Sequence, residues 1–477
     1  MKTRQTVFAL VLLAASMQVA AASEKLNICF FLADDLRADG IGALGGQIVK
    51  TPHIDKLCER GFAFRNAYTL GSDRGGVCVP SRAMIASGRS YLRPDVQAIL
   101  KGGAKYRRPE TETPLLGQTL ATAGYASIRS GKFGSNPNQV DQYYDVHIDG
   151  KTAEGNADNL IAFIQKNAGK KPLFLYMAPH EPHDPQFSPK SYHALYKAAD
   201  IPMPVNFLPM HPFDNGEMLV RDEQTLPWPR TPESVGGKRA KYYASVTYLD
   251  DQIGRVVDAL KQAGQFENTI FIVAGDNGLS LGEHGLIGKQ NVYELGGMEV
   301  PLVFAGPGIA QGESESFAYL YDVYPTMCEL AGIPVPDGLD AKSLVPVING
   351  TQPKVRDVLF TAYRDCQRAI RDERWKLARY PLIDKTQLFD LQSDPHEMND
   401  LAANPEYAGK IKELTALLET TRRAMGDTDA LTVANPGKAE WSVPDVIPTW
   451  KEQVKAREKA AQQKQRRLEE KTKGEKQ

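Results

Sequence analysis

Leu26-Asn27-Ile28-Cys29-Phe30-Phe31-Leu32-Ala33-Asp34-Asp35 is the stretch that decides the fold. An apolar run of strand length ending in two carboxylates reads as a central strand of a parallel sheet, with the acids at its C-terminal edge. That edge is where sites collect in α/β sheets, so Asp34 and Asp35 are candidate site residues. Further strands are expected at Leu173 to Ala178, Thr269 to Ala274 and Leu302 to Phe304, with helices such as Asp55 to Arg60 and Tyr243 to Ala263 between them. This alternation predicts an α/β fold with a large mixed, mainly parallel sheet flanked by helices on both faces.

The proline-rich stretch from Phe187 to Pro232 has no sustained period and is expected to cross the surface as a long ordered loop. Beyond it, Val358 to Tyr363, Gln367 to Arg371, Trp375 to Tyr380 and Gln387 to Leu391 read as short strands, followed by a helix from about Pro405 to Met425. They predict a smaller C-terminal subdomain built on a short antiparallel sheet and a helix. The expected division is 1–22, 23–350, 351–430 and 431–477, the last being an exposed charged helix or disordered because Lys451 to Gln477 is nearly all Lys, Arg, Glu and Gln.

Residues 1–22 begin with Lys2 and Arg4, continue through the apolar run Val7 to Ala15 and end in Ala20-Ala21-Ala22. This is a signal-peptide pattern, so an exported protein, periplasmic or extracellular, is expected, with no membrane span in the mature chain. The 57 basic and 58 acidic residues leave a net charge of −1, which lacks the positive field of a nucleic-acid binder. Any anionic substrate must therefore be captured by local cations. The cysteines, at 29, 58, 78, 328 and 366, form no compact disulfide framework. Cys29 and Cys58 read as packed small hydrophobes.

Cys78-Val79-Pro80-Ser81-Arg82 is followed by Gly88-Arg89 and preceded by Thr51-Pro52-His53-Ile54-Asp55-Lys56-Leu57 and Asn66-Ala67-Tyr68. These motifs closely resemble the signature of the type I, formylglycine-dependent sulfatases of the alkaline-phosphatase-like superfamily. The likeness runs from Asn27 to about Leu401 and includes Tyr321-Asp322-Val323-Tyr324-Pro325-Thr326 and Gln387-Leu388-Phe389-Asp390-Leu391. It implies that Cys78 is converted to formylglycine by a formylglycine-generating or anaerobic sulfatase-maturating enzyme. It also implies attack of the aldehyde hydrate on sulfur and a covalent sulfate intermediate, which divides one difficult displacement into two. Arg82 matches the arginine that steadies the nucleophile and the metal carboxylates.

Asp276-Asn277-Gly278 follows a second apolar strand, as Asp34-Asp35 follows the first. By the same resemblance, Asp34, Asp35, Asp276, Asn277 and the modified Cys78 are ligands of one Ca2+, and oxygen donors suit that ion. Gly131-Lys132 and Gly288-Lys289 match the two lysine motifs of the family, so Lys132 is expected at the sulfate and Lys289 at the transferred group or leaving oxygen. Pro182-His183-Asp184-Pro185 makes His183 the expected general acid, with His180 a second candidate. Where many sulfatases carry a histidine two residues after the first lysine, this chain has Gly134. His180 or His284 could substitute, and His284 could equally be a structural loop histidine.

The resemblance does not name the substrate. A sulfated carbohydrate such as mucin, glycosaminoglycan or algal glycan is expected, with the polar clusters Asp214-Asn215-Gly216, Arg221-Asp222-Glu223 and Arg364-Asp365-Cys366-Gln367-Arg368 as sugar contacts or ordinary loop polarity. A phosphomonoester or phosphonate hydrolase of the same superfamily and a non-catalytic binder of sulfated glycan remain open alternatives.

Overall fold

The computed structural model describes residues 25–101, 113–132 and 140–447, with 449, 452 and 455. The segment 1–22, Gly134 and most of the tail from Lys451 lie outside the described residues. Those described form the strands β1 (Asn27–Ala33), β2 (Gly61–Phe64), β3 (Ala67–Tyr68), β4 (Gly71–Ser72), β5 (Ala126–Gly131), β6 (Val146–Ile148), β7 (Leu173–Ala178), β8 (Thr269–Gly275), β9 (Leu302–Ala305), β10 (Gly312–Ser314), β11 (Ala318–Tyr319), β12 (Leu359–Tyr363), β13 (Gln367–Arg371), β14 (Trp375–Tyr380) and β15 (Lys385–Asp390). Eight of them make one sheet in the order β10-β2-β9-β8-β1-β7-β5-β6.

β1 runs parallel to both its neighbours, β7 and β8. Ile28, Phe30 and Leu32 enter one hydrophobic core while Cys29, Phe31 and Ala33 enter the other. Both faces are dry, which is why the run is apolar at both parities instead of alternating. Only β9 is antiparallel to its neighbours, so the sheet is mixed and mainly parallel.

Helices cover both faces. Pro52–Glu59 opens on proline in its first turn. The helix Pro232–Gln262 is longer than the expected Tyr243 to Ala263 and begins where Thr231 accepts a hydrogen bond from the Ser234 amide (3.2 Å). Gly236-Gly237, poor helix formers, hide that first part from a propensity reading. The region 187–232 holds only short helical turns, among them Lys190–His193 and Glu223–Thr225.

The smaller C-terminal subdomain is the antiparallel run β12 to β15, covered by the helix Ala408–Ala424, whose Leu414 and Leu418 pack on Phe360, Ile370, Leu377 and Leu388. Its sheet is not purely C-terminal. β4 joins its edge in parallel with β12, pairing Gly71 with Ala362 and Ser72 with Tyr363. Gly71 has φ +112°, and a Cβ there would lie 1.8 Å from the Ala362 carbonyl oxygen, so the close approach requires glycine. This pairing ties the smaller sheet to the loop leading to Cys78.

Candidate active site

The parallel order β8-β1-β7-β5 aligns four strand C-termini on one edge. β1 delivers Asp34 and Asp35, β8 delivers Asp276 and Asn277, and β5 delivers Lys132. The loop after β7 carries His180 and His183. Opposite them, the helix Cys78–Ser87 presents Cys78 as its first residue and Arg82 one turn later, both buried. Gly131 explains the position of Lys132: a Cβ at residue 131 would lie 2.0 Å from the Ala178 carbonyl oxygen, the acceptor of the Lys132 amide at 2.7 Å.

Cys78 Sγ lies 3.0 Å from Lys289 Nζ and 3.8 Å from Asp35 Oδ1. Lys289 Nζ also donates to Asp35 Oδ1 at 2.5 Å, and Asn277 Nδ2 donates to the same oxygen at 2.7 Å. Arg82 Nε meets Asp276 Oδ2 at 2.8 Å, and its Nη2 lies 3.7 Å from Asp34 Oδ2. Lys132 pairs with Asp34. His183 Nε2 lies 3.8 Å from Asp35 Oδ2, and its Nδ1 lies 3.1 Å from Asp184 Oδ1. The pairing is dense because three carboxylates and three cations share a largely buried region, where an unmatched charge is costly.

Burial raises the Asp276 carboxyl above the ordinary range, helped by Asp34. Asp34 goes the other way: burial opposes its ionisation, but Lys132, His183, Arg82 and Lys289 together hold it well below the usual value. Burial also works against the Lys289 ammonium, yet Asp35, Cys78 and Asp222 keep its pKa well above that of an ordinary lysine. The Cys78 thiol is pushed well up by burial and by Asp34.

Asp35 has φ +66°, a backbone conformation that few non-glycine residues adopt. Tyr242, fully buried in the long helix, holds it there. Its hydroxyl donates to the Asp35 carbonyl at 2.9 Å and accepts from the Arg37 amide at 2.9 Å, while the Asp35 amide donates to Asp276 Oδ1 at 3.0 Å. The strained turn aims the Asp35 carboxylate at Cys78.

The donor set fits a hard cation. Among the described residues, Asp34 Oδ1 and Asn277 Oδ1 are buried and meet no hydrogen-bond donor, and ligand atoms of Asp34, Asp35, Cys78 and His183 lie within 4.8 Å of one another. Buried oxygens without donors are stabilised by an ion, and carboxylate and amide oxygens suit calcium. Both Asp276 oxygens already accept hydrogen bonds, but each keeps a second lone pair.

Several expected contacts stand elsewhere. Arg368 is buried and paired with Asp427 (2.7 Å) and Asp429 (2.9 Å), so its guanidinium is used inside the fold and offers a sugar nothing. Arg364 pairs with buried Glu217. Asn215 is buried, and Asp214 closes its own turn on the Gly216 amide (2.8 Å). His284 stacks on Tyr293 with ring centroids 3.9 Å apart and meets Asn206 Nδ2 at 3.0 Å; burial lowers its pKa to about 4, so it is a neutral loop histidine. His180 meets Asp149 at 3.3 Å and is half exposed. Arg221 does reach the site, joining Asp184 (2.7 Å) and Asp222 (2.6 Å).

Sequence reasoning missed the residues that hold Lys289. Buried Glu223, expected at a sugar, accepts from the Ile287 (3.0 Å) and Gly288 (2.8 Å) amides and pairs with Arg230 (2.7 Å). Asp222 accepts from Gln290 Nε2 at 2.7 Å. Polar loop residues carry no periodic signal. The only hint was an acidic pair in a loop too long to be idle.

A family model described as Sulfatase matches residues 27–333, and one described as N-sulphoglucosamine sulphohydrolase, C-terminal, matches 282–424. Similar proteins include the choline-sulfatase of Rhizobium meliloti, 29% identical over 469 residues that cover 86% of this chain and 88% of that protein. The N-acetylglucosamine-6-O-sulfatase of Bacteroides thetaiotaomicron is 26% identical, with 85% and 88% covered. Among solved structures, one in complex with its substrate D-glucosamine-2-N,6-O-disulfate has TM-score 0.71 at 22% identity, covering 85% of this chain and 99% of that one. The phosphonate monoester hydrolase of Silicibacter pomeroyi has TM-score 0.71 at 21% identity, covering 85% and 96%. At these identities the structural likeness speaks to the fold alone.

Proposed function

The chain belongs to the sulfatase family and is a sulfuric ester hydrolase, and we propose that it removes sulfate from a sulfated carbohydrate using one calcium ion and a formylglycine made from Cys78. The observation that carries this reading is the position of Cys78, buried at the first residue of its helix between Lys289 and the Asp35 carboxylate. A thiol there touches the same groups that a modified side chain would need.

Asp34, Asp35, Asp276 and Asn277 would hold calcium, which would supply Lewis-acid stabilisation of negative charge at the site. Conversion to formylglycine would supply a hydrated aldehyde: one hydroxyl would attack sulfur as the ester S–O bond breaks and the alcohol leaves, and the other would lose its proton as sulfate departs and the aldehyde re-forms. Arg82 fixes Asp34 and Asp276 against each other. Lys289 holds positive charge against the side chain of residue 78, and Lys132 extends it toward the sulfate oxygens. His183, oriented through Nδ1 by Asp184, is the proton donor to the departing alcohol.

A carbohydrate substrate is supported by relatives named for glucosamine and ulvan sulfates. Export is supported by the pattern of residues 1–22, and among the described residues no helix is long and apolar enough to cross a membrane. A maturating enzyme for Cys78 is then a required partner. The second reading, a phosphonate or phosphate monoester hydrolase, has a shared fold in its favour. Against it, the matched family model and the choline-, aryl- and N-acetylglucosamine-6-O-sulfatase relatives are sulfatases. Parallel assays of sulfate and phosphate release from matched monoesters separate the two readings, and a glycan binder would release neither.

A further inference from the structure

A cavity of about 650 Å³ opens beside the site, and Asp184 belongs to both. On one side Asp184 meets His183 Nδ1 and Arg221; on the other it lines the recess. The opposite wall is the start of the helix Pro232–Gln262, which contributes Lys238 and Lys241. Three residues apart, these lysines share one face of the helix.

Among the described residues neither ammonium has a close carboxylate partner, although Lys238 lies in the field of Asp184, Asp222 and Asp35. Lys238 is half-buried and donates to Thr225 Oγ1 at 2.9 Å, Lys241 is exposed, and among the described residues neither forms an ion pair with a carboxylate. The acids nearby are otherwise placed: Asp184 is held by Arg221, and Glu233 is exposed in the first turn of the helix, where the helix dipole favours it. Two ammonium groups without a close ion pair, in a recess where Asp184 is already held by Arg221, can take a ligand with its own negative charge.

We propose that this cavity is a subsite for a second anionic substituent, a sulfate or a carboxylate, on the same acidic glycan whose sulfate ester lies at Cys78. The proposal rests on the sulfatase reading and names its substrate class: a polyanionic saccharide in preference to a singly sulfated one. Lys238 and Lys241 are specificity residues, lining the same recess as Asp184, which meets the His183 ring.

The test compares two disaccharides that differ only in a second sulfate. Wild-type enzyme should prefer the disulfated one, and Lys238→Ala/Lys241→Ala should lower that preference in kcat/KM at least fivefold, mainly through KM. Lys238→Arg/Lys241→Arg should keep it within twofold. No preference in the wild type, an unchanged ratio in the alanine variant, or equal loss in the arginine variant overturns the proposal. If the wild type cleaves neither compound, the carbohydrate-substrate reading fails by itself, and calorimetric binding of the disulfated disaccharide decides the subsite. Affinity must then fall at least fivefold in the alanine variant; absent or unchanged binding overturns the proposal.

Discussion

Lys289 Nζ sits 3.0 Å from Cys78 Sγ, although 211 residues separate the two in sequence. The contact joins a helix N-terminus to a loop that Glu223 grips by two backbone amides. The long region 187–232 is therefore part of the machinery, since its buried carboxylate sets where the Lys289 ammonium stands.

Removing that ammonium should cost more than a surface charge would. Lys289→Ala deletes a donor aimed at residue 78, and loss of one such preorganised donor lowers kcat by about 100- to 1,000-fold. Steady-state kinetics on a sulfate ester should show this, with KM changing far less. A loss below tenfold would mean that Lys289 only balances Asp35.

The buried oxygens Asp34 Oδ1 and Asn277 Oδ1 predict a calcium-dependent fold. Calcium at 100 times its Kd should stabilise the native protein by about 2.7 kcal/mol. Calorimetric Tm should rise on adding calcium and fall on chelation, and Asn277→Ala should blunt the response. A Tm indifferent to calcium would remove the ion from the account.

Tyr242 links the long helix to the strained backbone at Asp35. Tyr242→Phe leaves the buried Asp35 carbonyl and the Arg37 amide without this partner, a loss of about 1–3 kcal/mol in denaturant unfolding. Because Asp35 is freed as well, kcat should fall while the affinity of the substrate changes little. Stability lost with kcat intact would make Tyr242 a packing residue only.

The legible parts of this molecule were those with a period. β1, β7, β8 and β9 were apolar runs because both sheet faces are buried, and β12 to β14 matched their expected spans to within a residue. β4 was not legible, since two residues carry no pattern and its partner β12 lies far along the chain. The site carboxylates Asp34, Asp35 and Asp276 could be read because they follow apolar strands and match a family motif. Tyr242 and Glu223 could not, because a buried hydroxyl or carboxylate looks like any other polar residue until its partners are seen. Arg368 misled for the same reason: a strand arginine near polar neighbours proved to be an internal ion pair.

Glu299 gives a pH dependence away from the cluster around Cys78. Burial, and then the charge of Glu294, push its carboxyl up to about 8; Glu294 stays down at about 2 because Arg371 and Lys376 overcome its burial. An acid with a raised native pKa binds its proton more tightly when folded. Its contribution is complete below about pH 4.5 and is lost as pH rises through about 8. Glu299→Gln should therefore raise Tm at pH 9 and much less at pH 5. Equal shifts at both pH values would show that Glu299 is not the titrating group.

The central claim is that residue 78 carries the reaction, and sulfate release by protein co-expressed with a maturating enzyme tests it most directly. Wild-type protein should release sulfate from a sulfated saccharide, with its Cys78 peptide shifted to the mass of formylglycine, and Cys78→Ala should lose at least about 1,000-fold in kcat. Release that survives in Cys78→Ala would contradict the account.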